Sequence, residues 1–409
     1  RRPQFHVWCR RLSKRLRPSV TILVTTNGMA RPSADLRQRS HNTTCTRARH
    51  EIAGPGVRLI DYHRLMAAVV PEHSKSAVAR ASKVAGKGTA TAEELAEARA
   101  VLSNFRSAHA FPLNAVTVTA RQKALLVNPN AVVAQRLKRL PTILDKLVRH
   151  PTMSVTTMHD LGGCRVVFES VDEVDQLVIE LRDLPRARNR VLRVYDYLHD
   201  DPGPKPSGYR GIHLSYEYGA SKSVYHGLRI ELQVRTQLQH AWATAVETMD
   251  LFSGSELKYG KGNGDEIRYF ALVSSLMAYE ERTAPVPGAD AQPEGLIDEL
   301  RRLERRLGIV ERLNGYAAIV GDHATTDRRN ALTLELRRRE VALTVTVHES
   351  MAQAEARLTE LESQNDDDLD VVLVNIARIG QLRAAYPNYY ADTSMFSGFV
   401  QARLRSHAA

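Results

Sequence analysis

The residues most open to a chemical reading sit in one third of the chain. Arg136 and Lys138 come just before a helix that the sequence predicts from Pro141, with Lys146 farther along it. Cations beside a helix N-terminus oppose its dipole, so an anion held between them and the free N–H groups would be favoured. A little downstream, H-D-L-G-G-C-R-V-V-F sets Asp160 ahead of a strand through Val166 to Phe168. Two further runs alternate without a break. In H-G-L-R-I-E-L-Q-V-R-T (His226 to Thr236), Leu228, Ile230, Leu232 and Val234 share one face, opposite Arg229, Glu231, Gln233 and Arg235. In G-Y-R-G-I-H-L-S-Y-E-Y (Gly208 to Tyr218), Ile212, Leu214, Tyr216 and Tyr218 oppose His213, Ser215 and Glu217. Taken singly, each has a plainer reading: turn chemistry for an Asp before two glycines, and half-exposed antiparallel strands with a solvated face for the alternating runs. No G-x-x-x-x-G-K-[ST] occurs, so any handling of phosphate proceeds without a P-loop.

These segments need a scaffold, and the rest of the chain supplies candidates for one. Its 409 residues favour two or three units, and a 43% hydrophobic content is globular. Residues 1–65 hold 14 Lys and Arg against Asp35, Glu51 and Asp61, which accounts for the whole formal charge of +11 and leaves 66–409 neutral. This basic arm, rich in Arg, Ser and Thr and without sustained apolar periodicity, is expected to be disordered. It reads as a transit-type segment or as sequence upstream of a start at Met29 or Met66. Its longest largely apolar run, Val20 to Val24, is far short of the ~20 residues of a membrane span, and the body shows none. Cys9, Cys45 and Cys164 fit neither a disulfide framework nor a zinc site, which points to a reducing, cytoplasmic setting.

Beyond the arm, 66–125 is expected to be helical. Thr91 and Glu94 stand in capping-box spacing at the head of a helix reaching His109. Mixed helical and alternating patterns over 126–282 predict an α/β unit with its own core. There, Leu238, Ala241, Trp242, Ala245, Val246 and Met249 form one helical stripe, so Trp242 is expected in the core. T-A-P-V-P-G-A-D-A-Q-P-E-G, 283–295, reads as a linker. A long charged helix over Leu296 to Ile319 and a small α+β module are expected to complete 296–409. That module comprises alternation around Ala331 to Val347, a helix from Ser350 to Glu362, a strand from Val371 to Ile376 and a short helix from Gln381 to Ala385. The acidic run Asp366 to Asp368 reads as a solvated loop.

In order along the chain, R-L-K…K (Arg136, Lys138, Lys146), D-L-G-G-C-R (Asp160, Arg165), Y-D-Y…P-K…G-Y-R-G-I-H (Tyr195 to His213) and E-L-Q-V-R-T (Glu231 to Thr236) resemble the RelA/SpoT synthetase domain, whose members make guanosine tetra- and pentaphosphate. The resemblance implies a nucleotidyltransferase-like mixed sheet flanked by helices. It implies transfer of pyrophosphate from ATP to the 3′-hydroxyl of GDP or GTP, and overturns the solvated-face reading of Glu231 and His213. It further implies that Asp160 and Glu231 are the catalytic, Mg²⁺-linked carboxylates, that Arg136, Lys138, Lys146 and Arg165 surround ATP, and that Tyr209 stacks on the guanine. Lys205, His213, Gln233 and Arg235 fall on the acceptor side. Tyr195 stands where the family often has Lys, which takes away one phosphate contact. The region before the synthetase helices is too short for the family's His-Asp hydrolase domain, so a synthetase-only member, with the possibility of homo-oligomers and no membrane partner, is implied. Two alternatives stay open: a toxin-like relative acting on the 3′ end of tRNA, and a catalytically silent nucleotide sensor.

Overall fold

The computed structural model describes residues 69–406 apart from 88, 183–188, 200–201, 220–222, 254–255, 258–259, 261, 321–329, 338–341, 349–350, 365, 367 and 377–391. The basic arm and the helix expected over Gln381 to Ala385 lie outside the described residues.

Three helices lead in: α1 (Lys75–Gly86), α2 (Ala92–Ala108) and α3 (Ala110–Val127). The cap of α2 forms as the spacing predicts. Thr91 Oγ1 accepts the Glu94 N–H at 3.2 Å, and the Glu94 carboxylate accepts the Thr91 N–H at 2.9 Å. There follow β1 (Val132–Leu137), α4 (Leu140–Arg149), β2 (Gly162–Phe168), α5 (Val171–Arg182), β3 (Asn189–Asp196), β4 (Ile212–Tyr218) and β5 (Arg229–Thr236).

These strands form one mixed sheet in the order β1-β2-β5-β4-β3. Only the central β2–β5 pair is parallel; the other pairs are antiparallel. The alternation in β4 and β5 has a direct cause in burial. Ile212, Leu214 and Tyr216 join Ile230, Leu232, Val234, Cys164 and Val166 in a core closed by Leu113 and Val116 of α3 and by Val174 and Leu177 of α5. Each such side chain removed from water contributes about 1.5–3 kcal/mol, which fixes the register and with it the opposite face. The mixed sheet flanked by helices is thus present as expected.

β5 runs straight into α6 (Gln237–Ser253). The junction is a second reciprocal cap: the Thr236 N–H donates to Gln239 Oε1 at 3.1 Å, and the Gln239 N–H donates to Thr236 Oγ1 at 3.2 Å. Then come α7 (Gly264–Glu281), α8 (Pro293–Leu307), α9 (Ile309–Val320), β6 (Asn330–Arg337), β7 (Ala342–His348), α10 (Met351–Ser363), β8 (Leu369–Ile376) and α11 (Ser394–Ser406). The last three strands form an antiparallel sheet, β7-β6-β8, with α10 packed on it through Ala354, Leu358 and Leu361.

Three features differ from the sequence reading. The long helix expected over 296–319 is two helices, because Gly308 takes φ +61° and ends α8 in a left-handed turn. The 283–295 stretch is packed: Val286 and Ala289 are buried in the core of α6 and α7, the Val286 N–H donates to Ser275 Oγ at 2.9 Å, and its final residues open α8. The third is α11, which had no counterpart in the sequence reading. Phe396 and Val400, one turn apart, enter the core formed by α6, α7, α8 and α9.

Candidate active site

The polar face of the five-stranded sheet gathers the residues singled out above. Register places Glu231 opposite Gly163 of β2 and Ser215 of β4, Gln233 opposite Arg165 and His213, and Arg136 of β1 opposite Gly163. Directly paired residues project to the same side of a sheet. The lack of a side chain at Gly163 leaves space between Arg136 and Glu231.

Glu231 belongs to a closed ring of hydrogen bonds. Arg235 donates to Gln233 Oε1 at 2.6 Å and to the Tyr209 hydroxyl at 2.6 Å. Gln233 donates to Glu231 Oε2 at 2.6 Å, and His213 Nδ1 lies 3.1 Å from Glu231 Oε1. Tyr209 closes the ring on His213 Nε2. One assignment of protons satisfies every member: Tyr209 O–H donates to Nε2, and Nδ1–H donates to the carboxylate. Burial by itself would raise the Glu231 carboxyl, but His213, Gln233 and Arg235 outweigh it and hold the group far below the usual carboxylate range.

Asp160, between a single 3₁₀ turn at Val155–Thr157 and β2, sits under two lysines. Lys138 Nζ lies 2.7 Å from Oδ2 and Lys146 Nζ 3.3 Å from Oδ1. Lys138 comes from the end of β1, where its N–H donates to Leu161 O at 2.8 Å, and Lys146 from α4, whose Ile143 and Leu147 are anchored in the core. Burial again pushes the carboxyl up, as does Glu231, and the two ammonium groups overcome both. Arg165 faces Arg235 and Arg136. Burial, then these like charges, lower its guanidinium to about 10, with Glu247 acting in the opposite sense. Arg165 Nε and Arg235 Nε and NH1 are buried without an acceptor. Buried donors of this kind call for an anion or water.

Tyr209 stands at the edge of this face. The Arg235 guanidinium lies 4.9 Å from its ring centroid, Lys205 Nζ 5.2 Å, and the Tyr197 and Trp242 rings meet it edge-on. Lys205 Nζ is also 4.4 Å from the Tyr197 ring. Trp242 is 5% exposed and donates from Nε1 to Phe270 O at 2.8 Å, the core position its helical stripe implies. Gly208 makes this junction possible: it has φ +99°, and a Cβ there would meet Trp242 Cζ2 at 2.7 Å. Arg210, beside it, is buried in an ion pair with Glu281 at 2.7 Å, tying the loop to the end of α7.

Every residue proposed from the sequence therefore lies on this face or its rim. Several neighbours went unassigned. His159 hydrogen-bonds Ser215 and comes within 3.4 Å of Arg229, which in turn donates to Thr157 O at 3.1 Å. Tyr197 is another. The alternation of β4 already placed Ser215 on the His213 side, but nothing local marks His159, whose partners come from other strands.

The sheet face thus holds two ionised carboxylates among clustered arginines and lysines. Residues 135–251 match the model of the region found in RelA / SpoT proteins. It is 28% identical over 123 residues to GTP pyrophosphokinase YwaC of Bacillus subtilis, covering 29% of this chain and 56% of that protein. The chain spans about half the length of the curated relatives it matches. Among solved structures, small alarmone synthetase 2 of Bacillus subtilis aligns over 44% of this chain and 93% of its own, at 20% identity and a TM-score of 0.37. Small alarmone synthetase 1 of Bacillus subtilis bound to its product pppGpp aligns over 42% and 88%, at 23% identity and a TM-score of 0.35. No helix among the described residues is long and apolar enough to cross a membrane.

Proposed function

We propose that the chain transfers pyrophosphate from ATP to the 3′-hydroxyl of GDP or GTP. The observation that carries the reading is the pair of ionised carboxylates, Asp160 and Glu231, set on one face with buried arginine donors that have no acceptor. The match to a RelA/SpoT region and the likeness to a GTP pyrophosphokinase support it. In the reaction the acceptor oxygen bonds to the β-phosphorus of ATP, the bridge between the α- and β-phosphates breaks, and AMP leaves with the bridging oxygen. Arg136, Lys138, Lys146 and Arg165 offset the charge on the moving group and on AMP. Glu231 aligns the attacking hydroxyl. A carboxylate held so far down is a weak base, so its main part is orientation: His213, donating from Nδ1, fixes the carboxylate, and the proton of the attacking hydroxyl passes to solvent. Lys205, Gln233 and Arg235 hold the acceptor side.

Among the described residues no group of three or more His, Cys, Asp and Glu could hold a metal ion by itself. Two carboxylate oxygen donors suit Mg²⁺, which takes one or two carboxylates and completes its shell from phosphate and water. Asp160 and Glu231 would hold it, and when bound it would neutralise charge on the phosphates. Lys138 and Lys146 already pair with the Asp160 oxygens.

The test is formation of AMP and a 3′-pyrophosphorylated product from ATP and Mg²⁺ with GDP, GTP or tRNA offered separately. Product with GDP or GTP supports the proposal. Label from ATP appearing only on the tRNA 3′ end, or nucleotide binding with no AMP at all, would replace it by one of the two alternatives.

A further inference from the structure

We propose that Glu362, in the C-terminal module, is a positioning residue for the ATP side of the site; this rests on the pyrophosphotransfer reading above. Its carboxylate joins three separate segments. Oε1 accepts from Arg106 NH1 of α2 at 3.1 Å and from the Leu140 N–H at 3.2 Å, while Oε2 lies 3.1 Å from Arg106 NH2. Both side chains are nearly sealed from solvent, at 2% and 7% exposure. Leu140 is the first residue of α4, and Arg139 at its N-cap makes no side-chain capping bond. Glu362 is therefore the cap of α4, reaching it from more than 200 residues away in sequence.

The free N–H at the start of α4 thus finds its acceptor in a side chain of the same molecule. Its place in the chain makes this consequential. The two residues before Leu140 are Lys138 and Arg139, and α4 itself carries Lys146. Lys138 and Lys146 both hold Asp160, so the backbone fixed by Glu362 is the one that aims this pair of ammonium groups. A second carboxylate two turns back on the same helix, Glu355, also feels Arg106: burial raises its carboxyl and the arginine opposes that. The edges of the two sheets come together beside this junction, β8 lying along β1, which ends at Leu137. A carboxylate at a helix N-terminus satisfies an otherwise orphaned N–H and suits the dipole.

The difficulty in testing this is Arg106, since removing Glu362 alone leaves a buried charge unpaired and is expected to destabilise the whole chain. Two double variants avoid it. In Arg106→Met with Glu362→Gln, neither member of the ion pair is charged and the amide oxygen still accepts from Leu140. In Arg106→Met with Glu362→Leu, the charge is gone and so is the cap. Both are to be made in the full chain, with thermal melting to verify folding. Three quantities are compared: hydrogen exchange of the first turn of α4, affinity for a non-hydrolysable ATP analogue, and the separate KM values for ATP and for the acceptor. The Leu variant is expected to exchange faster in α4 and to weaken ATP by about five-fold, the equilibrium equivalent of a lost cap, with acceptor KM unchanged. The Gln variant should stay near wild type in all three. Equal ATP affinity in the two variants, or parallel changes in ATP and acceptor, overturns the proposal and leaves the pyrophosphotransfer reading intact. A wild-type chain that binds no ATP analogue overturns both. One that binds the analogue but makes no AMP overturns only the reaction, and the two variants still decide the role of Glu362.

Discussion

At the scale of single residues, the two carboxylates carry most of the weight. Glu231→Gln and Asp160→Asn are expected to abolish AMP formation, a loss of at least about 100-fold if each aligns or neutralises charge in the transition state. Both should still fold, because neither side chain belongs to an apolar cluster; normal turnover in either purified variant would remove the mechanism. Acid behaviour follows from the same groups. Their folded-state pKa values lie below the ordinary value of about 4, so the stability they contribute is present above that pH and is lost as pH falls through the folded values. The melting temperature of the wild type should therefore drop between about pH 4 and pH 2, and less steeply in Glu231→Gln. Tyr209→Ala removes a ring between Arg235, Lys205 and Tyr197, and is expected to raise acceptor KM about five-fold or more while ATP KM stays put. Equal effects on both substrates would assign the ring to scaffold. The types and faces of these residues were legible in the sequence because a period of two needs no partner to be seen. The ring from Arg235 through Glu231 to Tyr209 was not, since its bonds cross from β4 and the preceding loop to β5.

Among elements, the turn before β4 is held in a demanding geometry. Gly208 has a backbone that L-residues resist, and a Cβ would lie 2.7 Å from Trp242 and 3.1 Å from Phe270 O. Gly208→Ala should cost about 1–3 kcal/mol of stability and weaken acceptor use, read from melting temperature and acceptor KM together. An unchanged melting temperature would show that the loop can relax. Capping boxes and strand alternation were readable here for the reason that they are local: Thr91 and Glu94 carry their own instruction. The helix break at Gly308 could have been found from the glycine alone. By contrast, α11 has little but Phe396 and Val400 to announce it, and the packing of 283–292 depends on the Ser275 and Tyr279 side chains of α7. A run of Pro, Gly and Ala looks the same in sequence whether it hangs free or is bonded down.

For the molecule as a whole, composition suggested a unit ending near residue 282, and the packing runs on past it. Leu296, Leu300, Leu303, Phe396 and Val400 share one core with Trp242, Met249, Tyr269 and Phe270. At about 1.5–3 kcal/mol per buried side chain, losing five of them removes as much as a typical domain's entire stability of about 5–15 kcal/mol. A chain stopped at Gly295 is therefore expected to be insoluble or to lack a cooperative melt, whereas one beginning at Met66 should melt like the parent. A soluble, cooperatively melting product from the shorter chain would show that α6 and α7 stand alone.

That shared core also sets an order in time. α7 closes at Glu281, but the helix that completes its packing starts at Ser394. At a synthesis rate of about 5–20 residues per second, a ribosome needs roughly ten seconds to bridge that interval. Throughout it, Phe270, whose ring lies 5.5 Å from that of Phe396, waits with an apolar side uncovered, and Trp242, which packs on Phe270 and backs Tyr209, has no finished floor beneath it. The nascent polypeptide therefore passes through a window in which the five-stranded sheet can already pair while the rim around Tyr209 is unfinished. During this delay a chaperone that shields apolar helices would find its client, and the core closes only as α11 docks.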